Sequence, residues 1–175
     1  MDRRSLLIRI VQGFSVTGAL FLTYPFLKAW FPSLSEDLGK EVDIGDLKPG
    51  QSIEVSWLGR HVMIVRRTAA QLRVLEAPGL ELRDAGSIAS RQPAYAANEK
   101  RSRRADIFVA FSNCTHLGCE VSIESADPAI GFTCPCHKSR FDPAGRVEKS
   151  AAAPRNLDIP EYQYLSRNQI RLIQS

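Results

Sequence analysis

Hydrophobic residues are unevenly spread along this 175-residue chain. Residues 10–27, IVQGFSVTGALFLTYPFL, run for 18 positions without a charge. They form no one-sided stripe, so a helix here is apolar all round. At 1.5 Å per residue it would span about 27 Å, close to the roughly 30 Å of a bilayer's hydrocarbon core. The pattern predicts one membrane-spanning helix over residues 10–31, with Trp30 and Phe31 at the far interface, where aromatic rings settle. Pro32 should stop it, and Pro25 should kink its last turn.

Beyond the apolar block the pattern changes to short runs broken by turn residues. Positions 52–57 and 62–67 have β-rich composition and flank Leu58-Gly59-Arg60-His61, which predicts a hairpin with His61 in its turn. Residues 72–75 continue the pattern, and further short strands are expected at 107–111, 121–123, 131–133, 146–147 and 170–173. Many short strands predict a mainly β domain, an antiparallel sandwich or small barrel. Residues 77–105 hold Pro78, Pro93 and a basic run, so a long excursion with a short helix is expected there. Polar, acidic residues 33–48 read as a flexible tether. The expected division is an anchor over 1–32, a tether over 33–48 and a folded domain over 49–175.

Charge orients the anchor. Arg3, Arg4 and Arg9 precede the apolar run, and Lys28 is the one base close behind it, ahead of Glu36, Asp37, Glu41, Asp43 and Asp46. The positive-inside rule places the N-terminus in the cytoplasm and the rest across the membrane. A cleaved signal peptide is the alternative, but the bulky YPFLKAWFPS offers no small-residue cleavage site. Asp2-Arg3-Arg4-Ser5-Leu6-Leu7 resembles a twin-arginine export signal. The net charge of +4 sits largely in two short runs, which argues against nucleic-acid binding. Lys100-Arg101-Ser102-Arg103-Arg104 reads as a solvated loop or a contact with lipid or a partner.

The cysteines carry the chemistry. All four fall between Cys114 and Cys136, with two of the three histidines among them. Cys114-Thr115-His116 is followed, 17 residues on, by Cys134-Pro135-Cys136-His137. Each half offers one thiolate and one imidazole. A structural zinc site uses the same ligand types but pairs cysteine with cysteine and histidine with histidine, and it leaves two cysteines unexplained. The mixed halves fit a two-iron cluster with two cysteines on one iron and two histidines on the other, whose potential is roughly −150 to +300 mV.

CTHLGC at 114–119 and CPCHKSRFD at 134–142 closely resemble the two cluster-binding boxes of Rieske iron–sulfur proteins. YPFLKAWFPS, VSWLGRHVMIVRRT, QPAYAANEKRS and AGRVEKSAAAPRNLDIPEY extend the resemblance over nearly the whole chain. All look like the Rieske subunit of proteobacterial ubiquinol–cytochrome c reductase. The resemblance implies a Rieske-like antiparallel β-sandwich of small barrels with an inserted cluster-binding subdomain, its loops spanning about 112–156. Cys114 and Cys134 would hold one iron of a 2Fe–2S cluster. His116 and His137 would hold the other at the exposed tip, and Cys119–Cys136 would be the family's disulfide, favoured outside the cytoplasm. Leu117 would shield the cluster, Ser139 would donate a hydrogen bond to a cluster sulfur, and Pro154 would lie in a third loop covering it.

The function so implied is electron transfer. His137 or His116 would take a proton and an electron from quinol, and the electron would pass to a c-type haem. The implied partners are quinol, cytochrome b and a c-type cytochrome within a dimeric complex. The implied setting is a bacterial inner membrane with the Rieske domain in the periplasm. The small Rieske subunit of an arsenite-oxidase-type enzyme is the rival, separated by whether a cytochrome b or a molybdenum protein co-purifies. Metal analysis separates a zinc-stabilised binding module, and oxygenase-type Rieske domains lack both the anchor and the second cysteine pair. Asn113-Cys114-Thr115 matches a glycosylation sequon, but its central residue is a candidate ligand.

Two residues depart from the family pattern. Lys138 stands where glycine is usual, and would be strained if its φ is positive. Phe141 stands where many high-potential members have tyrosine, so one hydrogen bond toward a cluster sulfur is missing. Phe141→Tyr is therefore expected to raise the midpoint potential in protein-film voltammetry; an unchanged or lower potential contradicts this assignment.

Overall fold

The computed structural model describes residues 2–30, 39–77, 81–124, 126–127 and 130–174. The chain divides into two compact units, Met1–Leu38 and Gly39–Ser175. The first is a single helix, α1 (Arg3–Trp30). Its apolar side chains are exposed, Phe14 and Phe21 among the most. So much bare hydrocarbon is unfavourable in water and suited to lipid. The polar side chains fit the same setting. The Thr17 hydroxyl donates to the Gly13 carbonyl and that of Thr23 to the Ala19 carbonyl, both at 2.9 Å, so neither is left for lipid to satisfy. Pro25 lies inside the helix without ending it. Phe31 and the expected stop at Pro32 lie outside the described residues.

The second unit runs β1 (Lys40–Asp43), β2 (Ser52–Trp57), β3 (Arg60–Arg66), α2 (Ala69–Glu76), a single 3-10 turn (Ala94–Ala96), β4 (Ile107–Phe111), β5 (Ser122–Ile123), β6 (Phe132–Thr133), β7 (Arg140–Phe141), β8 (Tyr162–Ser166) and β9 (Gln169–Leu172). The strands form three antiparallel three-stranded sheets, β1–β9–β8, β2–β3–β4 and β5–β6–β7. The mainly β expectation holds. β4 is buried along its whole length, and the core gathers Val62, Ile64, Phe108, Phe132, Leu157 and Tyr162 around it.

This unit begins ten residues earlier than the sequence pattern suggested. Within the expected tether, Lys40–Asp43 pair with β9 from Lys40↔Leu172 to Asp43↔Gln169, and Val42, Ile44 and Leu47 are buried. Acidic neighbours at 41, 43 and 46 mask this alternation in the sequence. The remainder of the expected tether, residues 31–38, lies outside the described residues.

The hairpin joins β2 to β3 through six residue pairs. Its turn is Leu58-Gly59 alone, with φ of 50° and 72°. A two-residue turn with both φ positive matches strand twist. His61 is consequently not a turn residue but lies in β3 opposite Ser56. Residues 72–75, expected as strand, belong to α2. The Gln71 N–H donates to the Thr68 hydroxyl and the Thr68 N–H to Gln71 Oε1. This capping box fixes the helix start and was legible as Thr-x-x-Gln. At 146–147 the expected strand reduces to one bridge, Phe141↔Val147.

The basic run at 100–104 is not a solvated loop. Arg101 is 1% exposed. Its guanidinium donates to Gln92 Oε1 and to the carbonyls of Ala144, Gly145 and Leu157. Burial pulls it down to about 10, with Asp142 pulling the other way, so it stays charged near neutrality. Arg103 stacks on Tyr95 at 3.7 Å and Arg104 pairs with Asp106. Arg67, also buried, donates to Pro143, Ala105 and Lys100 carbonyls. These arginines satisfy loop carbonyls that no strand partner reaches. Arg101→Gln is expected to cost at least about 3 kcal/mol by stranding those acceptors; urea denaturation of the variant measures it, and a loss within error of zero contradicts the role.

Candidate metal centre

Two loops rise from the β4–β5 and β6–β7 connections, and they share one backbone scheme. In the first, the Cys114 N–H donates to the Cys119 carbonyl at 2.7 Å and the Gly118 N–H to the Cys114 carbonyl at 2.9 Å. In the second, Cys134 N–H donates to the Ser139 carbonyl at 2.8 Å and Lys138 N–H to the Cys134 carbonyl at 2.9 Å. Cys114 corresponds to Cys134, and Gly118 to Lys138. Both members of the latter pair have positive φ, 82° and 56°. Glycine takes that conformation freely, whereas it costs lysine about 1–2 kcal/mol.

The Cys119–Cys136 disulfide joins the two loops. Cys114 and Cys134 are free, and 2% and 1% exposed. The Cys134 sulfur lies within 4.8 Å of both disulfide sulfurs. Burial pushes the Cys114 thiol up to about 11. The adjoining Cys134 thiol adds to this, while the His116 N–H and the Ser139 hydroxyl oppose it. A bound metal inverts that preference, since a coordinating thiol is deprotonated outright. The His116 and His137 rings meet at right angles, centroids 4.6 Å apart. His116 Nδ1 is buried without a hydrogen-bond partner among the described residues. An orphaned buried nitrogen is costly unless an ion takes its lone pair. Two free buried thiols, two facing imidazoles and that orphan fit a mixed sulfur and nitrogen metal site.

A third loop is pinned to both boxes. The Thr115 hydroxyl donates to the Arg155 carbonyl at 2.5 Å. The Ala153 N–H donates to the Ser139 hydroxyl at 3.0 Å, which leaves that hydroxyl's own proton free to donate. Pro154 sits between these two anchor points. Asn156 holds the loop from behind, accepting from the Val147 N–H and donating to the Asp84 carbonyl and Ser87 hydroxyl. Leu117 is 73% exposed at the tip.

A Rieske [2Fe-2S] domain model matches residues 94–163. The ubiquinol–cytochrome c reductase iron–sulfur subunit of Allochromatium vinosum is 36% identical over 175 aligned residues, covering 94% of this chain and 84% of that one. The corresponding subunit of Blastochloris viridis is 31% identical, covering 97% and 92%. The chain belongs to the Rieske iron–sulfur subunits of ubiquinol–cytochrome c reductase. A solved hyperthermophilic respiratory Complex III has the same fold, with TM-score 0.52 and 22% identity over 91% of this chain and 96% of that one.

As a Rieske subunit, the protein transfers electrons from quinol to cytochrome c in a membrane-bound cytochrome bc complex, beside cytochrome b and cytochrome c subunits, and it carries a [2Fe–2S] domain. Its long apolar helix is consistent with a single membrane anchor. The boxes named from the sequence come together in space, as do Ser139 and the Pro154 loop. Thr115 and Asn156 were missed. Nothing in a lone hydroxyl or amide signals that it pins a loop. A further polar cluster, Glu54, His61 and Glu120, ties β2 and β3 to the return of the first box. His61 Nδ1 lies 3.4 Å from Glu120 and 3.8 Å from Glu54. The neighbouring Glu120 carboxyl is the main cause raising Glu54, and Glu120 is lowered in turn.

Replacing both Cys119 and Cys136 by serine opens a loop of this length and is expected to cost about 3 kcal/mol. Iron should also be lost faster to a chelator. Non-reducing urea denaturation and iron-release kinetics measure the two effects; unchanged iron release contradicts a clamping role for the disulfide.

Proposed function

We propose that Cys114 and Cys134 hold one iron and His116 and His137 the other, and that quinol meets this centre at the imidazole tip. The observation that carries the reading is the meeting of two imidazoles from the same two loops that supply a pair of buried free thiols. When bound, a [2Fe–2S] group with such ligands supplies a one-electron acceptor of raised potential. The rest is done by the chain. His137 is exposed, so its ring edge can accept a hydrogen bond from a quinol hydroxyl and then hold the proton. His116 has its Nδ1 buried, which leaves Nε2 for the same task. Leu117 offers apolar surface that excludes water around a docked quinol ring. Ser139, its oxygen engaged by Ala153, would donate its proton to a cluster sulfur, and Pro154 closes the third side.

The proposed setting is a bacterial inner membrane. Arg3, Arg4 and Arg9 hold the N-terminus in the cytoplasm, and the domain faces the periplasm, where a disulfide is favoured. The partners are cytochrome b and a c-type cytochrome in a dimeric complex. The paired arginines support export by the twin-arginine route, which carries a domain already folded around its cofactor.

The purified protein is expected to hold iron and inorganic sulfide in equal amounts, with an electron paramagnetic resonance signal on reduction whose average g lies below the free-electron value. Its midpoint potential should fall with rising pH through two breaks, because deprotonation of a ligating imidazole is favoured beside the more positive ion. A midpoint flat from about pH 6 to about pH 10 would remove the imidazoles from the proton chemistry.

A further inference from the structure

We propose that Lys138 is a docking residue: its ammonium engages carboxylate side chains on the c-type cytochrome that receives the electron. The inference rests on the electron-transfer reading above and adds the chemistry of the partner's surface. Three observations carry it. First, Lys138 occupies a left-handed position, φ 56°, whose counterpart in the other loop is Gly118 at φ 82°. Both N–H groups make the same hydrogen bond to the first cysteine of their box, so the backbone requires this conformation in both places. The position tolerates glycine and holds lysine under strain, and strain of this kind clusters at functional sites.

Second, the Lys138 side chain is exposed directly after exposed His137. No ion pair or hydrogen bond to its ammonium exists among the described residues, while the nearby Arg140 is already engaged by Glu148. Third, its neighbours at the tip are uncharged. Thr115, His116, Leu117 and Gly118 in one loop, Pro135, Cys136 and His137 in the other, and residues 150–154 of the third carry no fixed charge. The tip is an apolar surface around Leu117, 73% exposed, with the Lys138 ammonium at its edge and Glu124, Arg140 and Glu148 beside it in the adjoining pocket.

A neutral quinol in an apolar pocket gains nothing from an ammonium, which would have to give up its water to enter. A polar encounter with a water-soluble face gains a great deal. One charge at the rim of a small, transient contact raises the association rate and sets its salt dependence, with little effect on what happens after contact.

The test uses the full-length, cluster-loaded protein in detergent, reduced beforehand and mixed by stopped flow with the purified c-type cytochrome subunit of the same complex. The second-order rate constant is followed from about 10 mM to about 1 M salt, a range over which screening passes from weak to nearly complete. The wild-type rate is expected to fall severalfold across the range. Lys138→Gln should flatten the dependence and Lys138→Glu should reverse its sign. A cytochrome with its facing carboxylates changed to lysine should restore fast transfer to the Glu variant alone. Midpoint potentials of all forms are measured alongside, so that a change in driving force is not mistaken for a change in encounter. Lys138→Gly should also melt higher than Lys138→Gln, since glycine relieves the strain. A wild-type salt slope retained by the Gln variant overturns the docking role, as does a slope lost only for reduction by quinol. A Gly variant no more stable than the Gln variant removes the argument from strain. Absence of any iron–sulfur signal would instead overturn the electron-transfer reading, and is seen before any mixing.

Discussion

Two short loops hold a pair of buried free thiols and a pair of facing imidazoles in fixed relation, with His137 still exposed to water. Irregular backbone does not do this unaided, because each loop residue loses about 1–2 kcal/mol of conformational entropy on being fixed. The chain meets the demand by using one hydrogen-bonded turn twice. In each loop the first cysteine's N–H and carbonyl are both engaged within five residues, so the thiol's position follows from the turn. The disulfide sets the spacing between loops. The third loop is bonded to one box through Thr115 and to the other through Ser139. Moving any one donor strains the other loops, and this mutual restraint holds the imidazoles face to edge.

The ground beneath the loops is equally constrained, and by charge rather than by hydrocarbon. Segment 142–146 follows directly from the second box, and its carbonyls are met by Arg67 and Arg101. Asp142 and Arg146 form a buried pair within it, and the Asp142 carboxylate also accepts from the N–H groups of Ala144 and Arg146. A buried ion pair adds little net stability; its use here is to specify one conformation of a loop that no sheet can hold. Gly131 completes the fit, since a Cβ there would stand 2.6 Å from Pro143 Cα. The second box is thereby seated on a bed with no room to shift.

Much of this was legible from the amino-acid order, and the limits are physical. β-rich composition between turn residues located β2, β3 and β4, and the Cys-x-His and Cys-x-x-His boxes located the paired thiols and imidazoles, because local pattern and final position coincide there. β1 escaped notice because its partner is β9, more than 120 residues away, and its exposed face is acidic. Residues 72–75 carried strand-like composition but sat behind a capping box, and the local hydrogen bonds of Thr68 and Gln71 decided for helix. The basic run misled for the opposite reason. Charged residues default to solvent, and only the tertiary shortage of donors around 143–145 and 157 draws Arg101 inside. Lys138 was correctly suspected of strain, yet the reason for it, a loop built on the same plan as its neighbour, became visible only with both backbones in place.

The pairing of β1 with β9 bears on how this domain could be handled by a moving complex. Lys40, next to the start of the folded unit, and Leu172, near its end, are brought side by side. A pull transmitted along the chain from the anchor thus arrives at a seam made of the domain's first and last strands. The two box loops lie about seventy residues after β1 and about thirty before β9, between strands of the other sheets. The ladder ties the unit's first strand to its last, and the thiol and imidazole loops take no part in that closure.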